Sequence, residues 1–104
     1  MYFMSINKFK ANADRAQISK AIPLHREWAR QQLAAGVLVQ AGKWGDHGGM
    51  IVVRAETREE ADKVVNQDPL VQAGLITFET AQLHPVERLL WLMRNTEGVK
   101  QDAG

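Results

Sequence analysis

The sequence predicts one α+β domain whose elements run β-α-β-β-α-β, with a further helix appended at the C-terminal end. Three observations predict it. Four short runs rich in β-branched and aromatic residues occupy residues 2–9, 37–44, 49–56 and 75–83. Two stretches between them carry apolar residues at helical spacing, and glycine or proline stands at the junctions.

The first run, YFMSINKF, lacks helical periodicity and gives way to the polar KANAD, so it reads as a strand and loop. Over residues 22–35, Leu24, Trp28 with Ala29, and Gln32 with Leu33 form a helical stripe; Pro23 suits a first turn and Gly36 a helix-terminating position. The runs VLVQAGKW and GMIVVRAE flank the short connection GDHG and read as a hairpin. Thr57 with Glu60 three residues later is a capping-box pattern, Ala61, Val64 and Val65 continue the stripe, and Pro69 should end that helix. LITFETAQL then supplies the last strand.

This order is the split-βαβ, ferredoxin-like pattern, with two helices on one face of a four-stranded antiparallel sheet. Residues 50–53 are four consecutive apolar residues, and Tyr2, Phe3, Met4 and Ile6 also supply bulk to both faces. A sheet with one wet face should alternate cleanly, so the second face calls for a cover, and a second copy of the same sheet is the expected one. Residues 86–93 hold Val86, Leu89, Leu90 and Met93 at helical spacing behind Pro85. The division is therefore 1–84 for the α+β domain and 85–104 for a C-terminal helix and tail.

The 104-residue length fits one modest core. With 13 Lys plus Arg against 12 Asp plus Glu, the net charge of +1 offers no broad surface for nucleic acid or an anionic membrane. There is no cysteine, which excludes a thiol nucleophile or a disulfide scaffold and fits a reducing compartment. The N-terminus lacks a signal-peptide pattern and no run approaches 18 apolar residues, so a cytoplasmic protein is expected.

Candidate chemistry is sparse. His25, His47 and His84 share no HxH or HxxxH spacing, so a metal site would need assembly from distant segments, and none is expected. GKWGDHGG lacks both the residues and the strand-to-helix context of a phosphate loop, and a hairpin turn accounts for its glycines. No cofactor is expected. His25 stands at the edge of the first helix's apolar stripe, facing either a pocket or the core.

Asp68 extends the stripe of Ala61, Val64 and Val65 and so falls at the C-terminal end of the second helix. Burial and the negative end of the helix dipole both disfavour a bare carboxylate there. It needs an imidazolium, a set of backbone N–H groups or a proton, unless it forms an Asx-type turn with Pro69. Trp44, His47 and Lys8 are weaker pocket candidates, Trp44 being equally a packing residue of the hairpin.

His25 near the start of the first helix, Gly36 closing it, Ala41-Gly42 ahead of the hairpin and DPLVQAGL from Asp68 to Leu75 together resemble the YCII-related family of dimeric α+β barrels. The likeness covers residues 2–85 and omits the C-terminal helix. It implies that His25 and Asp68 face one pocket as a catalytic pair, and that the protein is a homodimer. One member type of that family eliminates HCl from a chlorinated hydroxyhydroquinone. The chain departs from the family at Ile22, where an arginine is common three residues before the histidine, and in a shorter hairpin.

A His-Asp pair performs proton transfer, the carboxylate fixing the tautomer of the imidazole. The expected function is thus a cofactor-free lyase-like or isomerase-like enzyme acting on a compact cyclic or aromatic metabolite. The alternative is a non-catalytic dimeric module that binds a small ligand or a partner protein. A third reading lies closer to the muconolactone-isomerase or antibiotic-monooxygenase types of the same barrel. The fold alone does not choose among them.

Overall fold

The structure, a computed structural model, describes residues 1–46 and 48–84. Its elements are β1 (Tyr2–Phe9), α1 (Arg15–Ala34), β2 (Leu38–Trp44), β3 (Gly48–Arg54), α2 (Arg58–Val65), α3 (Pro69–Gln72) and β4 (Ile76–Leu83). The helix expected after Pro85, and with it the division at residue 84, lies outside the described residues. No helix among the described residues is long and apolar enough to cross a membrane.

The four strands form one antiparallel sheet in the order β2-β3-β1-β4, the ferredoxin-like arrangement. Register decides which residues meet the helices. Phe3 pairs with Val53, Ser5 with Ile51 and Asn7 with Gly49, and all these β1 side chains are buried. The alternating Tyr2, Met4 and Ile6 project to the other face and are half-buried.

On the helix side, Phe3, Leu38, Ile51 and Val53 pack against Ala29 of α1 and Ala61 and Val65 of α2. Val53 and Val65 are fully buried, and each such side chain contributes about 1.5–3 kcal/mol by leaving water. A second cluster joins Ala21 of α1 to Leu70 of α3 and to Leu75 and Ile76, flanked by Ile18, Ile22 and Phe9. This second cluster presses α3 against the middle of α1, which is where the candidate site forms.

Helix α1 begins well before residue 22. Asp14 caps it, accepting a hydrogen bond from the Ala16 N–H at 2.9 Å. Pro23 is therefore an interior residue, which removes the hydrogen bond to the Ser19 carbonyl and costs about 3 kcal/mol. Both positions are exposed, and Ile18, Ala21 and Ile22 hold the preceding turn in the second cluster. The buried face also differs from the expected stripe: Leu24 is 62% exposed, and Ala21, Trp28 and Ala29 face inward with His25 between them. The helix ends as expected, with Gly36 at φ 77°, its N–H on the Leu33 carbonyl and that of Val37 on the Gln32 carbonyl.

Helix α2 starts at its expected cap, the Glu60 N–H bonding Thr57 Oγ1 at 3.1 Å, while the Glu60 carboxylate accepts from the Glu56 N–H. It stops at Val65, and the separate turn α3 follows.

Candidate active site

Asp68 does not continue α2; it is the N-cap of α3, followed by Pro69 in the first turn, where its missing N–H leaves no bond unmade. The Asp68 Oδ1 accepts the Leu70 N–H at 2.9 Å, the Asx-type turn that its pairing with proline allows. The same oxygen lies 2.8 Å from His25 Nδ1. Its carboxylate thus sits at the positive end of a helical turn rather than the negative end of α2, with two of the three kinds of partner the sequence required. The side chain is fully buried, and its Oδ2 has no partner among the described residues.

The two residues are 43 positions apart. What joins them is the packing of Leu70 against Ala21, one turn before His25, together with the closed turn in which Leu75 N–H bonds the Leu70 carbonyl. An ionised carboxylate only accepts hydrogen bonds, so against that form of Asp68 the contact is made by the Nδ1–H tautomer, whose lone pair lies on Nε2. No protein group among the described residues occupies Nε2. The ring also lies 6.2 Å from that of Trp28, tilted by 34°.

His25, with 24% of its side chain exposed, lines a cleft of about 430 Å³ between α1 and the sheet. Phe9, Ile22, Ala29, Leu70 and Ile76 supply much of its apolar wall. Gly49, opposite Asn7 and Lys43 on the helix-facing side of the sheet, leaves room there. The next residue, Gly48, is required for a different reason: a Cβ on it would overlap the backbone of Asn7. Asp68 does not line the cleft. It stands behind His25, in contact with its Nδ1.

Of the weaker candidates, Lys8 and Trp44 lie in one cross-strand row through Gly48, on the sheet face away from the helices, and neither lines the cleft. Trp44 is 55% exposed. Their chain neighbours Asn7 and Lys43 do line it, because successive side chains of a strand point to opposite faces. His47 lies outside the described residues.

Asn7 and Ser5 escaped the sequence reading. Both are buried on the helix face of β1, and the Ser5 hydroxyl bonds Asn7 Oδ1 at 3.3 Å. The signal was present in the alternation Phe3, Ser5, Asn7, which places two polar residues where a strand should turn apolar side chains inward.

Comparison with known proteins agrees with this architecture. The YCII-related domain model matches residues 1–80. Among solved structures, the chain is similar to 5-chloro-2-hydroxyhydroquinone dehydrochlorinase from Burkholderia phenoliruptrix AC1100, solved in complex with 2,5-dihydroxybenzoquinone. That likeness has a TM-score of 0.68 at 18% identity, over 85% of this chain and 98% of that one. It is also similar to muconolactone isomerase, with a TM-score of 0.66 at 18% identity, over 84% of this chain and 92% of that one. A search of curated proteins returned no match. At such identities the two structures share the fold.

Proposed function

The chain belongs to the YCII-related family, and from that premise we propose that it is a cofactor-free proton-transfer enzyme of lyase or isomerase type acting on a small cyclic or aromatic compound. The observation that carries this reading is the 2.8 Å contact between His25 Nδ1 and a fully buried Asp68, made by a histidine that lines a cleft of ligand size. With Nδ1–H held by the carboxylate, Nε2 is the base. It takes a proton from a carbon or oxygen of the substrate, and Asp68 stabilises the imidazolium that results.

In an elimination, the electron pair of the broken C–H bond forms the new double bond while the leaving group departs with its own pair. In an isomerisation, the imidazolium returns the proton to another carbon. Both sequences close without an oxidant or a cofactor. The dehydrochlorinase and the isomerase that share this fold are named for these two reaction types.

We further infer a homodimer packed through the face of the sheet away from α1 and α2. That face carries Tyr2, Met4, Ile6, Met50 and Val52, and among the described residues no helix packs on it. Such a stripe is characteristic of a sheet-on-sheet interface.

One observation favours a second reading, a ligand-binding module without turnover. The oxygen that holds His25 also caps α3, so the pair would persist for structural reasons alone. Incubation with 5-chloro-2-hydroxyhydroquinone and with muconolactone, followed by chloride release and by NMR of the products, separates the two. Turnover abolished in His25→Ala, with the melting temperature kept, is the expected result. Binding of these compounds without any conversion, or conversion that survives His25→Ala, sinks the enzymatic reading.

A further inference from the structure

The polar groups that line the cleft are one-sided. Besides His25 they include Arg26, Arg30, Lys43 and Asn7, and no carboxylate is among the lining residues, although the chain as a whole carries nearly equal numbers of each charge. Arg30 is engaged by Glu27 at 3.1 Å. Arg26 and Lys43 make no ion pair among the described residues. They reach the cleft from opposite walls, Arg26 from α1 and Lys43 from β2, and both are exposed, which places them at its mouth.

Asn7 differs from these in being only 4% exposed. Its Oδ1 accepts the Ser5 hydroxyl at 3.3 Å, and Nδ2 is then left as a donor. Nδ2 has no protein partner among the described residues, in a side chain that lines the cleft from the sheet. A buried amide donor on the floor, two cations at the mouth with no ion pair among the described residues, and a largely apolar wall match one ligand chemistry.

We propose that the cleft selects a small cyclic organic anion, a carboxylate or an ionised enol or phenol, with its charged group at Arg26 and Lys43 and a second oxygen on Asn7 Nδ2. This rests on the proposed proton-transfer function in that it names that site's substrate class. It also gives Asn7 a share in the chemistry. When Nε2 removes a proton from the carbon next to a carbonyl, charge develops on the carbonyl oxygen, and a donor already aimed at that oxygen stabilises it.

Binding measures this apart from turnover. The probes are 2,5-dihydroxybenzoate and 2,5-dihydroxybenzamide, which share a shape and differ in charge, titrated calorimetrically against the intact chain. Each exposed ion pair is worth a factor of roughly 2–5, so two cations favour the carboxylate by about tenfold at low salt. That preference shrinks as salt is added. It disappears in the double variant Arg26→Gln/Lys43→Gln, which leaves the affinity for the amide in place. Asn7→Asp keeps the side-chain shape, puts a negative charge into the cleft and weakens the carboxylate roughly 10- to 100-fold.

Equal affinity for the two probes, a preference that survives in the double variant, or no binding of the carboxylate at millimolar concentration overturns the proposal. If Asn7→Asp does not fold, the double variant and the salt series still decide. Anion-selective binding without conversion of any substrate leaves this inference standing while the proton-transfer reading falls. Turnover without charge preference has the reverse effect.

Discussion

Replacing Asp68 by asparagine and by alanine separates its two jobs. Oδ1 accepts from both the Leu70 N–H and His25 Nδ1, at 2.9 and 2.8 Å. Asparagine keeps an oxygen at that position and is as good a helix cap as aspartate, so both bonds survive and the change in stability stays within about 1 kcal/mol. Losing the charge even removes a desolvation cost, since Oδ2 is buried without a partner. Alanine loses the cap and leaves a buried N–H unsatisfied, at about 2 kcal/mol. Loss of the His25 bond adds about 1 kcal/mol more, at the low end because the imidazole is 24% exposed and can turn to water. The alanine variant is thus about 2–3 kcal/mol less stable and the asparagine variant nearly unchanged.

Turnover should respond the other way. In the proposed mechanism both variants remove the anion that stabilises the imidazolium, so Asp68→Asn lowers the rate by roughly 10²–10⁴. Urea unfolding followed by tryptophan fluorescence gives the stabilities, and conversion of a compound found to be a substrate gives the rates. Asparagine as damaging to stability as alanine would show that the charge is structural. Turnover of Asp68→Asn within about threefold of the unaltered protein would remove Asp68 from the mechanism.

Three further outcomes follow from the packing. Gly48→Ala drives a Cβ into the backbone of Asn7, and since backbone cannot give way, stability falls by about 1–3 kcal/mol or more; an unchanged melting temperature would contradict that geometry. Thr57→Ala removes the cap of α2 at a cost of about 1 kcal/mol, read from the urea midpoint at constant slope. Val52→Asp and Val53→Asp lie on opposite faces of β3: the second charge is buried in the helix-side core and unfolds the domain, whereas the first yields a folded monomer by sedimentation if the outer face is a dimer interface. A monomer in the unaltered protein would end the dimer proposal.

The sheet was legible because its signals are local. Strand β1 follows its apolar run to the residue, the hairpin follows its glycines, and the caps Thr57 and Gly36 stand where their chemistry places them. Helix α1 was half legible. Pro23 argued for a helix start, since proline belongs in a first turn. The fold instead carries the helix through it, because Asp14 caps an earlier turn and Ile18, Ala21 and Ile22 anchor that turn in the second cluster. Tertiary burial overrode a local preference, and the same error mistook Leu24 for a buried residue.

The site shows a different division. The burial of Asp68, its need for a partner and its Asx-type turn with Pro69 were legible, but its place on α2 was not. The sequence stripe extended α2 through Asp68, whereas the chain breaks after Val65 and uses Asp68 to begin α3. The broken helix matters for the chemistry. Had α2 continued, the carboxylate would sit at a carbonyl-rich helix end and compete with those carbonyls for His25. By capping α3 it is held by the Leu70 N–H, so its orientation does not depend on the histidine, and it is ready for His25 whether the imidazole is neutral or has just taken a proton. In the proposed mechanism, a carboxylate anchored on one side by backbone and on the other by imidazole is a positioning group whose geometry survives the proton's arrival. A pair that held itself together only by its own charges would not have that property.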